Sequence, residues 1–264
     1  MQTSVVAKAT FGLVAATIGT TLLGASAQAA TLAGLQDGNT IVWIDTAKKK
    51  VTGWKKLAGG ASLIGFDVRP ADGKLYGVTP DGMIVVVDAK TGKWEKKSQL
   101  SETLPKGATF SVDFNPVADR MRILSSTGMS LRVNVEDGKT TVDGSLKYAD
   151  ADASKGKTPK AAAAAYSNSV AGSKETALYD IDATAGALVK QAPPNDGILN
   201  TIGSLGIKLN GATAFNIVAQ GEDNAAWLVS GGTLYSVDLK TGKATSAGKL
   251  EGIAGKLTDI AWID

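Results

Sequence analysis

The chain contains no cysteine and no histidine, and these two absences remove most familiar catalytic and metal chemistry. Without an imidazole there is no Ser-His-Asp triad, no His-ligated zinc and no histidine general base. Without a thiol there is no thiolate nucleophile or thiolate metal site, no lipid-modified cysteine and no disulfide framework. What remains is carboxylate, lysine or tyrosine chemistry, an oxygen-ligated cation, or binding without catalysis. No cofactor is indicated.

An excess of charge of either sign is also missing. Lys and Arg total 28 against 25 Asp and Glu, a formal charge of +3, which gives no electrostatic case for nucleic acid as a partner. The densest basic group, Lys48, Lys49, Lys50, Lys55 and Lys56, reads as a solvated strand surface. Long apolar runs are confined to the N-terminus, where Phe11–Leu23 follows Lys8 and precedes Ala27-Gln28-Ala29. That order reads as a secretory signal peptide over residues 1–29 with cleavage before Ala30. The run is too short for a permanent membrane span, and no later segment approaches the roughly 20 apolar residues a span requires. The expected location is therefore periplasmic or secreted. Residues 30–264 form one domain, held by its core rather than by disulfides.

Against these absences stands repetition. VDAKTGK at Val87–Lys93 returns as VDLKTGK at Val237–Lys243. Around both, a short β-type run, a glycine turn, a second run ending in Val-Asp, a Thr-Gly turn and a third run follow in order. Weaker copies lie at Thr40–Leu57, Ser130–Leu146 and Ala177–Ala192. The anchor residues are Asp45, Asp88, Asn134, Asp182 and Asp238, at gaps of 43, 46, 48 and 56 residues, and the gap through the joined chain ends is 42. Each unit has a further run upstream: Leu63–Pro70, Thr109–Pro116, Ala161–Ser169, Ala212–Gln220 and Leu257–Asp264. The last of these lacks a downstream partner, and the Thr40 unit lacks an upstream one.

This pattern predicts an all-β chain, a five-bladed β-propeller closed by pairing of its N- and C-terminal strands within one blade. A β-sandwich is the alternative. Ala161–Ala165 is placed by the repeat on an inner strand despite its helix propensity, and Lys147–Lys160 reads as a mobile loop between blades.

The anchor aspartates precede Thr-Gly in the manner of turn caps, whose carboxylates accept hydrogen bonds from the following N–H groups. The inner strands are the better place for a site. Aligning GFDVRP with SVDFNP superposes Asp67 on Asp113 and Arg69 on Asn115, and the same register brings Asn216, Asp259 and either Ser167 or Asn168 to that level. Asp67, Arg69, Asp113, Asn115, Asn216 and Asp259, with Tyr166 and Asn168 beside them, form the candidate ligand-binding ring. Its partner would be a small molecule, a glycan or a protein. A carboxylate-dependent hydrolase is the alternative, and it needs two of these acids about 5–9.5 Å apart. A structural reading competes with both, because the unpaired edge of each inner strand needs short polar side chains. Arg69, Arg120, Arg122 and Arg132 are then expected to pair with the same acids.

The segments GFDVRPADGKLYGV, FSVDFNPVADRMRILSSTGMSLRVNVEDGKTTVDG, AAYSNSVAG, LYDID and PPNDG resemble, in this order, the exported bacterial proteins grouped as domain of unknown function 4394. The resemblance runs from about Leu32 to the end of the chain. It implies export and a repeat-built β fold, and it brings no activity, cofactor or catalytic residue.

Overall fold

Each repeat holds four short runs with a two-residue alternation, and each run pairs with its neighbour in sequence because only a turn or a local loop separates them. A computed structural model describes residue 1, residues 31–221 and residues 223–263. The leader read at residues 1–29 lies outside the described residues, Met1 aside.

The described strands form five separate sheets. Blade 1 runs outward from Leu257–Trp262 through Thr31–Gln36 and Thr40–Asp45 to Lys50–Lys56. Blade 2 comprises Gly65–Val68, Leu75–Val78, Met83–Val87 and Trp94–Gln99. Blade 3 comprises Phe110–Asn115, Arg120–Ser125, Ser130–Val133 and Thr140–Val142. Blade 4 comprises Ala161–Tyr166, Leu178–Asp182, Ala187–Gln191 and Ile198–Ser204. Blade 5 comprises Thr213–Gln220, Asp223–Ser230, Thr233–Val237 and Ala244–Lys249.

The five inner strands neighbour one another in a closed ring. The chain is therefore a five-bladed β-propeller. Its ring is closed in blade 1, where the N-terminal Thr31–Gln36 pairs antiparallel with the C-terminal Leu257–Trp262, from Leu32 opposite Trp262 to Gln36 opposite Leu257. Closure of this kind joins both chain ends into one ladder and leaves no open edge at the seam.

Alternation along each strand gives every blade two packing faces. In blade 3, Val112, Phe114, Met121, Ile123, Leu131 and Val133 face blade 2 and bury with Tyr76, Val78 and Ile84. Equivalent apolar clusters fill the interfaces between blades 1 and 2, 4 and 5, and 5 and 1. Replacing one such buried residue, Phe114 for instance, by alanine costs about 3–5 kcal/mol. The interface between blades 3 and 4 differs. Blade 3 contributes only Leu124 to its apolar cluster, and the other buried residues on that face include Ser111, Asp113, Arg122 and Ser130.

The repeated heptapeptide is a blade-to-blade contact. Asp88 Oδ1 accepts from the N–H of Lys90 at 2.9 Å and of Thr91 at 3.2 Å, and its Oδ2 accepts from Thr91 Oγ1 at 2.7 Å. Asp238 repeats the arrangement with Lys240 and Thr241 at 2.7 and 3.2 Å. Gly92 takes φ 72°, and its carbonyl accepts from Ala58 N–H of blade 1's following loop at 2.8 Å. A Cβ on Gly92 would lie 2.1 Å from the Lys56 carbonyl oxygen. Glycine is required here for its left-handed backbone and for the approach of the neighbouring chain.

Lys147–Lys160 departs from its expected reading as a mobile loop. Lys147–Tyr148 adds a fifth, parallel strand to blade 4 against Ile198 and Leu199. Asp152 then anchors the turn by accepting from Ser154 N–H at 2.8 Å and Thr201 N–H at 2.6 Å. The Tyr148 hydroxyl also donates to Asp182.

Candidate functional site at the propeller axis

Five inner strands meeting at one axis leave backbone N–H groups without a ladder partner, and short acidic side chains supply acceptors. Asp259 Oδ2 of blade 1 accepts from Phe66 N–H of blade 2 at 3.1 Å. Asp67 Oδ2 of blade 2 accepts from Phe114 N–H of blade 3 at 2.9 Å. Asp113 Oδ1 of blade 3 accepts from Tyr166 N–H of blade 4 at 3.0 Å. In each case a carboxylate reaches one blade onward, so the ring is stitched in the direction of the chain. The Asn216 amide of blade 5 crosses to Asp113 Oδ2 at 3.5 Å and also bonds Asp67, which its two N–H donors allow. The crowding is tight enough to demand glycine at Gly65, where a Cβ would meet both Asp259 Oδ2 and Val112 at 2.7 Å.

All three carboxylates are buried, and burial raises their pKa values. Asp67 is pushed up to about 7, against the opposing hydrogen bonds from Phe114, Val68 and Asn216. Asp113 is raised well above the ordinary value, first by burial and then by the charge of Asp67. Asp259 is also raised, again by burial first.

The structure thus brings Asp67, Asp113, Asn216 and Asp259 together and sends the other candidates elsewhere. Arg69 clamps blade 2 to blade 3 through Asp119, at 2.8 and 2.5 Å, and Glu136, at 2.7 Å. Asn115 caps its own turn, with Oδ1 accepting from Val117 and Ala118 N–H, both at 2.9 Å. Tyr166 is buried, and its hydroxyl accepts from Arg122 Nε at 3.2 Å. Asn168, at φ 55°, exchanges two hydrogen bonds with Asn224 of blade 5, each 2.7 Å. Ser167 turns to its own hairpin and accepts from Ala177 N–H at 2.9 Å.

The expectation that arginines neutralise the axial acids does not hold among the described residues. Arg69 takes Asp119 and Glu136, and Arg120 Nη1 donates to the carbonyls of Ala118 and Asp119. Arg122 and Arg132 both take Asp143, at 2.6 and 2.7 Å. The reason is geometric. Arg69 stands just beyond its inner strand, and Arg120, Arg122 and Arg132 stand on the second and third strands of blade 3. Arg122 lies opposite Asp113 in the ladder but turns its guanidinium to Asp143.

A cleft of about 370 Å³ opens beside the axial ring. Asp67 and Asn216 line it, and Pro70, Ser169, Val170 and Trp262 are among its walls. Most of these wall residues come from the segments that follow the inner strands. The repeat includes Pro70, Ser169 and Trp262 in its inner runs, but nothing in it marks them as walls of a cleft, whereas the acid and the amide stand out as aligned polar positions. Asp113 and Asp259 do not line the cleft. Asp67 is thus the axial carboxylate that faces this cleft.

Similarity to known proteins bears on the fold. A crystal structure of a protein of unknown function from Bacteroides thetaiotaomicron aligns with TM-score 0.54 at 15% identity, covering 90% of this chain and 66% of that one. A protein of unknown function from Bacteroides caccae aligns with TM-score 0.44 at 13% identity, covering 82% and 71%. An auxiliary nutrient binding protein from Bacteroides thetaiotaomicron aligns with TM-score 0.44 at 14% identity, covering 76% and 56%. No curated protein matches. The family model described as domain of unknown function (DUF4394) matches residues 40–261, nearly the whole propeller. The chain belongs to the DUF4394 family.

Proposed function

We propose that the protein is an exported, non-enzymatic binding module that takes a small polar ligand, either a free small molecule or a glycan unit, in the axial cleft. The observation that carries this reading is the joint presence of Asp67 and Asn216 in a 370 Å³ cleft with Trp262 on its wall. Concave sites of this size, mostly apolar with a few placed polar groups, are the usual form of a ligand pocket. Asp67 supplies an acceptor, Asn216 supplies both an acceptor and a donor, and the indole offers a flat apolar face. That combination suits a hydroxyl- or amine-bearing ligand. Export is supported by the leader pattern at Lys8, Phe11–Leu23 and Ala27-Gln28-Ala29.

The test is a thermal-shift and calorimetric screen of sugars, polyols and small amines, repeated on Ser169→Trp. Ser169 lines the cleft and makes none of the axial hydrogen bonds, so its replacement fills the space without loosening the ring. A ligand that stabilises the native chain and not the variant supports the reading. Equal stabilisation of both contradicts it.

A further inference from the structure

The recurrence of VDAKTGK and VDLKTGK raises a question that turn chemistry alone does not exhaust. The first copy is followed by Trp94, the second by Ala244. Around the first copy lies a groove of about 720 Å³, separate in its chemistry from the axial cleft although both touch Val68, Gly73 and Ile263. Its apolar surface includes Leu75, Val87 and Trp94, and its polar surface includes Lys74, Lys90 and Lys93.

Three features define what this groove can hold. The Trp94 indole N–H is already given to the Ala58 carbonyl at 3.0 Å, so the ring presents only its apolar face. Lys74, Lys90 and Lys93 are exposed and enter none of the ion pairs formed among the described residues. Of the two carboxylates on the groove, Asp88 and Glu95, Asp88 is committed to its turn through Lys90 N–H, Thr91 N–H and Thr91 Oγ1. The three ammonium groups therefore outnumber the carboxylates beside an apolar floor.

We propose that this groove binds an amphipathic organic anion, an apolar body lying on Leu75, Val87 and Trp94 with a carboxylate, sulfonate or phosphate head held by Lys90, Lys93 and Lys74. The site is independent of the axial reading, since it uses neither Asp67 nor Asn216. Blade 5 supplies an internal control. It carries the same turn with Lys240 and Lys243, but Ala244 stands where blade 2 has the tryptophan.

The experiment is a fluorescence titration of the folded chain at neutral pH with 8-anilinonaphthalene-1-sulfonate, followed by displacement with dodecanoate or dodecyltrimethylammonium. Saturable binding is expected, weakened at least tenfold by Lys90→Glu with Lys93→Glu and unchanged by Lys240→Glu with Lys243→Glu. Dodecanoate should displace the probe, and the cationic amphiphile should not. The substituted lysines are exposed, so thermal midpoints near that of the native chain are expected for both pairs. Equal weakening by the two pairs would show general charge attraction and overturn the proposal. So would equal displacement by the cation, or the lack of saturable binding.

Discussion

Asp67 of blade 2 accepts the backbone N–H of Phe114 in blade 3 at 2.9 Å, and this bond fixes two inner strands in register at the axis. The same carboxylate is the acid that lines the axial cleft. One residue thus serves the fold and the candidate site together, and substitutions at Asp67 must be read for both.

Asp67→Leu removes the acceptor and leaves the Phe114 N–H buried and unpaired, an expected loss of about 1–3 kcal/mol in urea unfolding. Asp67→Asn keeps an acceptor oxygen and should lose less. Because Asp67 sits near pKa 7, a ligand that donates to its carboxylate should bind more tightly as pH rises from 6 to 8. That dependence should vanish in Asp67→Asn while binding itself persists in weakened form.

Buried carboxyls also set the pH dependence of stability. Both Asp180 oxygens are buried without a hydrogen-bond partner, and burial pushes the group up to about 8 from 3.8, with the nearby Arg122 charge opposing. The folded state therefore holds a proton that the unfolded chain releases above its own pKa. From this group, stability is greatest in acid and declines as pH climbs from about 4 to about 8, then levels off. Thermal melts should show a midpoint falling between pH 5 and pH 8.5. Asp180→Asn should flatten part of that slope and exceed the native chain's midpoint at pH 8.5. A native midpoint that rises with pH would refute this assignment.

Between blades 3 and 4 the buried Arg122 guanidinium donates to Asp143 at 2.6 Å, to Ser130 Oγ at 2.8 Å and to Asn195 Oδ1 at 3.1 Å. Asp143 also accepts from Arg132 at 2.7 and 2.9 Å. Removing one member of a buried pair strands the other, so Asp143→Ala should cost about 3–5 kcal/mol. Asp150→Ala is the comparison. Its pairing with Lys155 joins two exposed side chains, and its loss should leave the unfolding midpoint essentially unchanged because solvent screens such a pair.

Gly92→Ala and Gly186→Ala separate backbone strain from collision. Both glycines have positive φ, 72° and 59°, which costs an alanine roughly 1–2 kcal/mol. A Cβ at Gly186 meets nothing within 4 Å, whereas at Gly92 it lies 2.1 Å from a backbone oxygen of blade 1. Denaturant unfolding should show a clearly larger loss for Gly92→Ala. Equal losses would mean that the turn does not dock on its neighbour as described.

The blades were legible in the sequence because their signals are local and repeated. Asp88 and Asp238 announce their turns within five residues, and the regular spacing carries the register inward to Asp67, Asp113, Asn216 and Asp259. The seam is readable for the same reason, since an incomplete first unit and an incomplete last one can only complete each other. Arg69 and Asn115 share that register, yet they reach Asp119 and a local turn, because alignment fixes a residue's level and not the side-chain partners around it. Arg122 and Arg132 stand out in the sequence as pairing arginines, but Asp143 as their shared acid does not, since it lies in a linking segment outside the repeat. Lys147–Lys160 is composed like a loop, and tertiary contacts hold it in place, through Tyr148 and Asp152 and through Thr158 and Lys160 at its far end.

The claim that the axial cleft is a binding site is tested most directly by titrating the native chain and Ser169→Trp, side by side, with the best ligand from the sugar, polyol and amine screen. Stabilisation of the native chain that grows with ligand concentration and is absent in Ser169→Trp is the predicted result. Equal stabilisation of both proteins, or none of the native chain by any member of the screen, contradicts it.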